Sequence, residues 1–135
     1  MSLILDILKS KRRLLTGEGV PDSMIGESEK MLGLSFSDEY REYLREYGIA
    51  AYSGHELTGI TRSPRLNVVS VTLAERERNE DAPRNLYVVE RTNVEEILVW
   101  QGDSGELYYS SPNHPLEKFC NSLSEYIRGK TPNEA

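Results

Sequence analysis

Side chains able to do covalent or metal chemistry are few here: His55, His114 and Cys120 are the two histidines and the single cysteine of the chain. They fall one ligand short of an ordinary structural zinc site, which would need carboxylates brought from elsewhere. "HELTGIT", residues 55 to 61, alternates like a strand, and a strand sends His55 and Glu56 to opposite faces, which disfavours an acid–base pair between them. Cys120 sits in "FCNSL" without a cation to stabilise a thiolate, the setting of a small buried thiol. No GxGxxG, Walker A, GxSxG, HExxH or CxxC pattern occurs. Among 22 acidic residues some carboxylates must lie close together, as glycosidase or metal sites require, yet a solvated acidic surface is the favoured account of them. The expectation is a chain with no catalytic, metal or cofactor site.

Recognition is the other chemistry that the residue types allow. In "VWQGDSGELYY", residues 99 to 109, Asp103, Ser104 and Gly105 form a turn beside Trp100, Tyr108 and Tyr109. Aromatic side chains next to an exposed acidic loop suit protein recognition, where Trp and Tyr anchor hot spots; a plain hairpin with alternate aromatics packed inward is the competing reading. "FSDEYREYLREYG", residues 36 to 48, poses the same choice. Tyr40, Tyr43, Leu44 and Tyr47 fall at i, i+3, i+4 and i+7 among charged residues, a helical stripe that is either a binding face or an inner face. Tyrosine rings bury well while their hydroxyls reach water or a partner atom, which favours the inner face.

Charge narrows the class of partner. The formal net charge is −6, and Lys9, Lys11, Arg12 and Arg13 against Asp6 give the first fifteen residues +3, leaving −9 for the remainder. An acidic body disfavours direct binding of nucleic acid or anionic membrane, both of which need a positive surface, and fits a cationic partner. A lone cysteine excludes an intrachain disulfide and fits a reducing compartment. The first residues lack the order of a secretory signal and the apolar runs are short, so the expectation is a cytoplasmic protein.

The elements that must position these residues follow from periodicity. At 135 residues, with 38 % hydrophobic and 28 % charged, the chain suits one folded domain spanning residues 1 to 135. Leu3, Ile7 and Leu14, with Ile4, Leu8 and Leu15 beside them, predict a first helix whose basic end complements its dipole. Asp22 or Ser23 is placed to cap a second helix carrying Met24, Ile25, Ser28, Met31 and Leu32 and stopped by Gly33. Ser37 is placed to cap the tyrosine helix, which Gly48 ends. Residues 67 to 80 mix β-branched side chains with an Asn67 cap and an Ala-Glu-Arg tail, and lean towards helix. Residues 55 to 61, 85 to 91, 96 to 101 and 106 to 110 read as strands, the last two joined as a hairpin by "GDSG". Pro115 then opens a closing helix with Leu116, Phe119, Cys120, Leu123, Tyr126 and Ile127 on its stripe, before a loose tail at 130 to 135. Helices first, strands in the middle and a helix last predict an α+β domain: a mainly antiparallel sheet with helices packed on one face.

The order of motifs resembles the SUKH superfamily, the domain of bacterial immunity proteins and of Smi/Knr-type regulators of fungal cell-wall synthesis. In "MIGESEKMLGLSFSDEYREYLREYG", Ile25, Glu29, Leu32, Gly33, Tyr40, Leu44, Tyr47 and Gly48 fall in the family's register. Ser28 stands where an aromatic is usual, and Phe36-Ser37 where Leu-Pro is usual. "HELTGI", "NLYVVER", "GDSGELYY" and "FCNSLSEYI" extend the similarity over roughly residues 20 to 128. The resemblance implies a non-catalytic, protein-binding α+β domain, in bacteria commonly an immunity protein that neutralises a cationic toxin such as a nuclease. The alternative is a regulatory or scaffold module in cell-wall or secretion control. The residues expected to meet a partner are Tyr52, Glu56, Trp100, Asp103, Glu106 and Tyr109.

Overall fold

The computed structural model describes residues 3–129; the loose tail expected at 130–135 lies outside the described residues. The first helix, α1 (Leu3–Lys9), buries Ile4, Ile7 and Leu8. It stops earlier than the apolar spacing predicts. Arg13 takes a left-handed φ of 57°, which turns the chain so that Leu15 and Thr16 form β1 (Leu15–Thr16) against Ala51 and Ala50. Leu15 thereby leaves the helical stripe and is exposed.

α2 (Asp22–Leu32) begins after Pro21 rather than after a capping side chain. Asp22 is already helical and instead pairs with Arg45 Nε at 2.5 Å. Gly33 ends the helix in the left-handed conformation, donating its N–H to Glu29 and Lys30 carbonyls. Ser37 caps α3 (Asp38–Tyr47), its hydroxyl accepting from the Tyr40 N–H at 3.1 Å. Glu29 ties the two helices together: its carboxylate accepts from Phe36 N–H at 2.7 Å and pairs with Arg41, also at 2.7 Å.

The tyrosine stripe is an inner face. Tyr40 and Tyr43 are fully buried, Tyr40 sharing a 2.9 Å hydrogen bond with the Thr58 hydroxyl and Tyr43 donating to the Thr58 carbonyl at 2.7 Å. Burial pushes both hydroxyls well above the usual tyrosine range, so they remain neutral donors.

A seven-stranded antiparallel sheet follows chain order from β1 through β2 (Ala50–Tyr52), β3 (His55–Leu57), β4 (Tyr87–Arg91), β5 (Leu98–Gln101), β6 (Leu107–Ser111) and β7 (His114–Cys120). Between β3 and β4 stands α4 (Val68–Arg78), for which Asn67 accepts from Val69 and Ser70 N–H groups. The cap thus wins over the β-branched run at 68–72.

β7 corrects the expectation of a long closing helix from Pro115. Residues 114 to 120 pair with β6, and the helix proper is α5 (Leu123–Arg128), capped by Ser122. Leu116, Phe119 and Cys120 satisfy a helical spacing and a strand equally over so short a run. Proline, lacking an N–H, is tolerated because β7 is the edge of the sheet.

Period-two alternation splits the strands between two apolar clusters. Tyr87, Val89, Val99 and Leu107 join α1, α2, α3 and α5 in the main core. Val88 and Trp100 turn the other way and pack with Val71, Ala82 and Leu86 of α4 and the segment after it. Among the described residues no helix is long and apolar enough to cross a membrane.

Candidate functional site

Past α4, the outward face of the C-terminal strands is open. Cross-strand pairs Leu98↔Ser110 and Trp100↔Tyr108 set these side chains on that face. The Trp100 indole N–H donates to Ser110 Oγ at 3.0 Å, fixing the ring. A groove of about 920 Å3 crosses here, lined by Leu98, Trp100, Ser110, Pro112 and Leu116 among others. Its basic residues are already engaged: Arg78 and Arg91 both reach the buried Glu75, at 3.6 and 3.7 Å. Asp81 and Glu96, also on the lining, are exposed and in no ion pair among the described residues.

The acidic turn lies at one end of the same strands. Gln101, fully buried, donates to the Gly105 carbonyl at 3.0 Å and accepts from Tyr87 OH at 2.9 Å, anchoring the turn to the core. Asp103 is exposed. Glu106 is half-buried and shared: it accepts from Tyr108 OH at 3.1 Å and faces Lys118 Nζ at 3.5 Å.

The six residues expected at a partner surface are therefore not equivalent. Trp100, Asp103, Glu106 and Tyr109 share the β5–β6 hairpin, but Trp100 and Tyr109 point to opposite sides of it. Trp100 is 2 % exposed and Tyr52 5 %, so the expectation that these rings are exposed is corrected. Tyr52 lies on the main-core side, whereas Trp100 lies on the opposite face under Val71, Ala82 and Leu86, and in both places apolar area is drawn out of water. Tyr109 is half-buried, stacked on His114 with ring centroids 4.8 Å apart. Glu56 pairs with Arg65 at 2.7 Å, which lowers its pKa from the ordinary carboxylate value.

Sequence reading missed one polar cluster. Glu90, 2 % exposed, accepts from Tyr126 OH at 2.6 Å and from Glu56 N–H at 3.2 Å, and His55 Nδ1 lies 3.1 Å from both its oxygens. Tyr52 stacks on His55 with centroids 5.2 Å apart, and Lys11 Nζ stands 5.4 Å over the Tyr52 ring. His55, read from the sequence as a strand residue with no acid–base partner in Glu56, partners a carboxylate 35 residues away. The signal was available in "YVVER": an acidic residue within an apolar strand needs partners if it faces inward. Among the described residues no three metal-ligating side chains converge, and the cluster joins β3, β4 and α5 as a polar staple.

Comparison with known proteins agrees with this architecture. A family model described as SMI1-KNR4 cell-wall matches residues 1–130. A solved structure, a protein from Pseudomonas syringae pv. tomato, superposes with a TM-score of 0.73 at 16 % identity, covering 94 % of each chain, a likeness of fold. No curated protein matches the sequence.

Proposed function

Because the chain belongs to the SMI1-KNR4 family of the SUKH superfamily, whose members act by binding proteins, we propose that it is a non-catalytic immunity protein neutralising a cognate bacterial toxin. It works in the cytoplasm and covers the toxin's active site or an adjacent exosite. The observation that carries the reading is the open sheet face, where a groove with Leu98, Trp100 and Leu116 in its lining also carries the unpaired acids Asp81 and Glu96, with Asp103 exposed on the β5–β6 turn. Nuclease toxins present cationic surfaces to their substrates, and an acidic inhibitor gains steered association with them.

The test is the association rate with a toxin domain encoded beside this gene, at low and moderate salt. Changing Asp103 and Glu106 together to Lys should slow association about tenfold at low salt, weaken its salt dependence and leave the circular dichroism spectrum unchanged. Because Glu106 also holds Lys118 and Tyr108, Asp103→Lys alone is the cleaner arm. Unchanged kinetics in both variants would remove the turn from the interface. The "cell-wall" description of the matched family favours a second reading, a regulatory or scaffold module. Rescue from the toxin on co-expression separates the two, since only the immunity reading requires it.

A further inference from the structure

Two methionines that fall on the apolar stripe of α2 are left outside the core. Ile25, Ser28 and Leu32 take the buried face, while Met24 is 43 % and Met31 60 % exposed. On α4, Val69 is half-buried and Leu73, one turn further on, is 42 % exposed. The two helices lie against each other, and a groove of about 780 Å3 runs beside them, lined by Val20, Met24, Met31, Ile60 and Val69. This surface is separate from the strands that carry Trp100 and the acidic turn.

The shape and charge of the groove select an occupant. Eleven helical residues rise about 16 Å, and Met24 and Met31 stand two turns apart. A helix laid alongside would meet them with its own apolar residues at i, i+3 or i+4, and i+7. Methionine side chains are unbranched and polarizable, and re-pack readily against such a ridge. Glu18 and Glu27 line the groove, both exposed and in no ion pair among the described residues; Arg62 is the cation on the lining. Glu77 lies one turn beyond Leu73 on α4. The uncommitted charge is thus mostly negative and calls for Lys or Arg flanking the apolar ridge.

We propose that the α2–α4 groove is a docking site for an amphipathic helix of a partner protein, apolar along one face and flanked by Lys or Arg. The site does not depend on toxin neutralisation and would serve a second partner or a second segment of the same one.

The test titrates the isotope-labelled protein with a synthetic Leu/Lys amphipathic helix about four turns long, beside a scrambled peptide of the same composition that lacks an apolar face. Saturable NMR shifts confined to α2, the start of α4, the 18–20 loop and residues 60–64 are expected. The variant carrying Met24→Glu and Met31→Glu should lose about tenfold in affinity although it adds two negative charges. A purely electrostatic association would instead tighten in that variant. Tighter or unchanged binding there, equal binding of the scrambled peptide, or shifts centred on the sheet face would each overturn the proposal. Thermal melts check the fold, and Met24→Ser with Met31→Ser serves if the glutamates destabilise it. Self-association of the free protein that the methionine changes abolish would make the groove a contact between copies, and would also overturn it. Toxin association measured in parallel reports separately on the immunity reading.

Discussion

Glu90 shows how much one side chain contributes here. A carboxylate at 2 % exposure is costly unless its oxygens are satisfied, and three donors from two segments, β3 and α5, do so. Glu90→Gln keeps the shape but removes the charge that strengthens those bonds, and should cost about 2 kcal/mol in chemical denaturation. The same contact makes stability depend on pH. Hydrogen bonding to Glu90 raises the His55 pKa above its ordinary value, with burial and Lys11 working against the rise. A folded-state pKa above the unfolded one favours the folded state fully below about pH 6.5, and that stability is lost as pH rises through the raised value. The wild type should therefore lose stability as pH rises above about 6.5, and Glu90→Gln should flatten that slope. A slope that survives the substitution would place its origin elsewhere. Tyr52 and Tyr126 face the same carboxylate, but burial, the larger cause, and the Glu90 charge keep both hydroxyls neutral throughout this range.

At the scale of elements, ends are set by local chemistry and identities by pairing. Ser37 and Asn67 cap their helices as their sequence positions suggest, because a short polar side chain before an apolar repeat can satisfy orphan N–H groups without tertiary help. Gly48 ends α3 with a φ of 71° and sits under the Glu18 carbonyl, where a Cβ would collide. Its carbonyl accepts from Ile60 N–H at 3.0 Å, so the position joins three segments. Gly48→Ala should cost about 3 kcal/mol from strain and contact together, read as a lowered denaturation midpoint. β7 is the opposite case. The stripe of Leu116, Phe119 and Cys120 predicts a helix, and only the presence of β6 alongside turns it into an edge strand with Leu116 outside and Phe119 inside.

The whole molecule has one dominant core that begins with α1 and closes with α5. Leu8 is fully buried, and α1 packs on both α3 and α5. Leu8→Ala should therefore cost about 3 kcal/mol, within the range for a buried leucine whose cavity only partly collapses. Since the sheet and these helices share that core, secondary and tertiary signals should still unfold together in the variant; separated transitions would show that α1 unfolds on its own. Charge is organised at this scale too. Lys9, Lys11, Arg12 and Arg13 gather at the end of α1 and in the turn after it, whereas the unpaired acids Asp81, Glu96, Glu18 and Glu27 line the two grooves.

The sequence by itself determined the α+β class, the caps of α3 and α4, the β5–β6 hairpin and the inner tyrosine stripe, because each rests on spacing or capping within about ten residues. Family membership was legible for a related reason: Ile25, Glu29, Gly33, Tyr40 and Gly48 hold an order over two adjacent helices. Which aromatics face water was decided only by tertiary structure, since β5 is covered on both faces, Val99 by the main core and Trp100 by Val71, Ala82 and Leu86. The partnership of His55 with Glu90 and the exposure of Met24 and Met31 were also decided there. Thirty-five residues separate the first pair, and the second depends on how α2 sits against α4, so no local pattern can encode either.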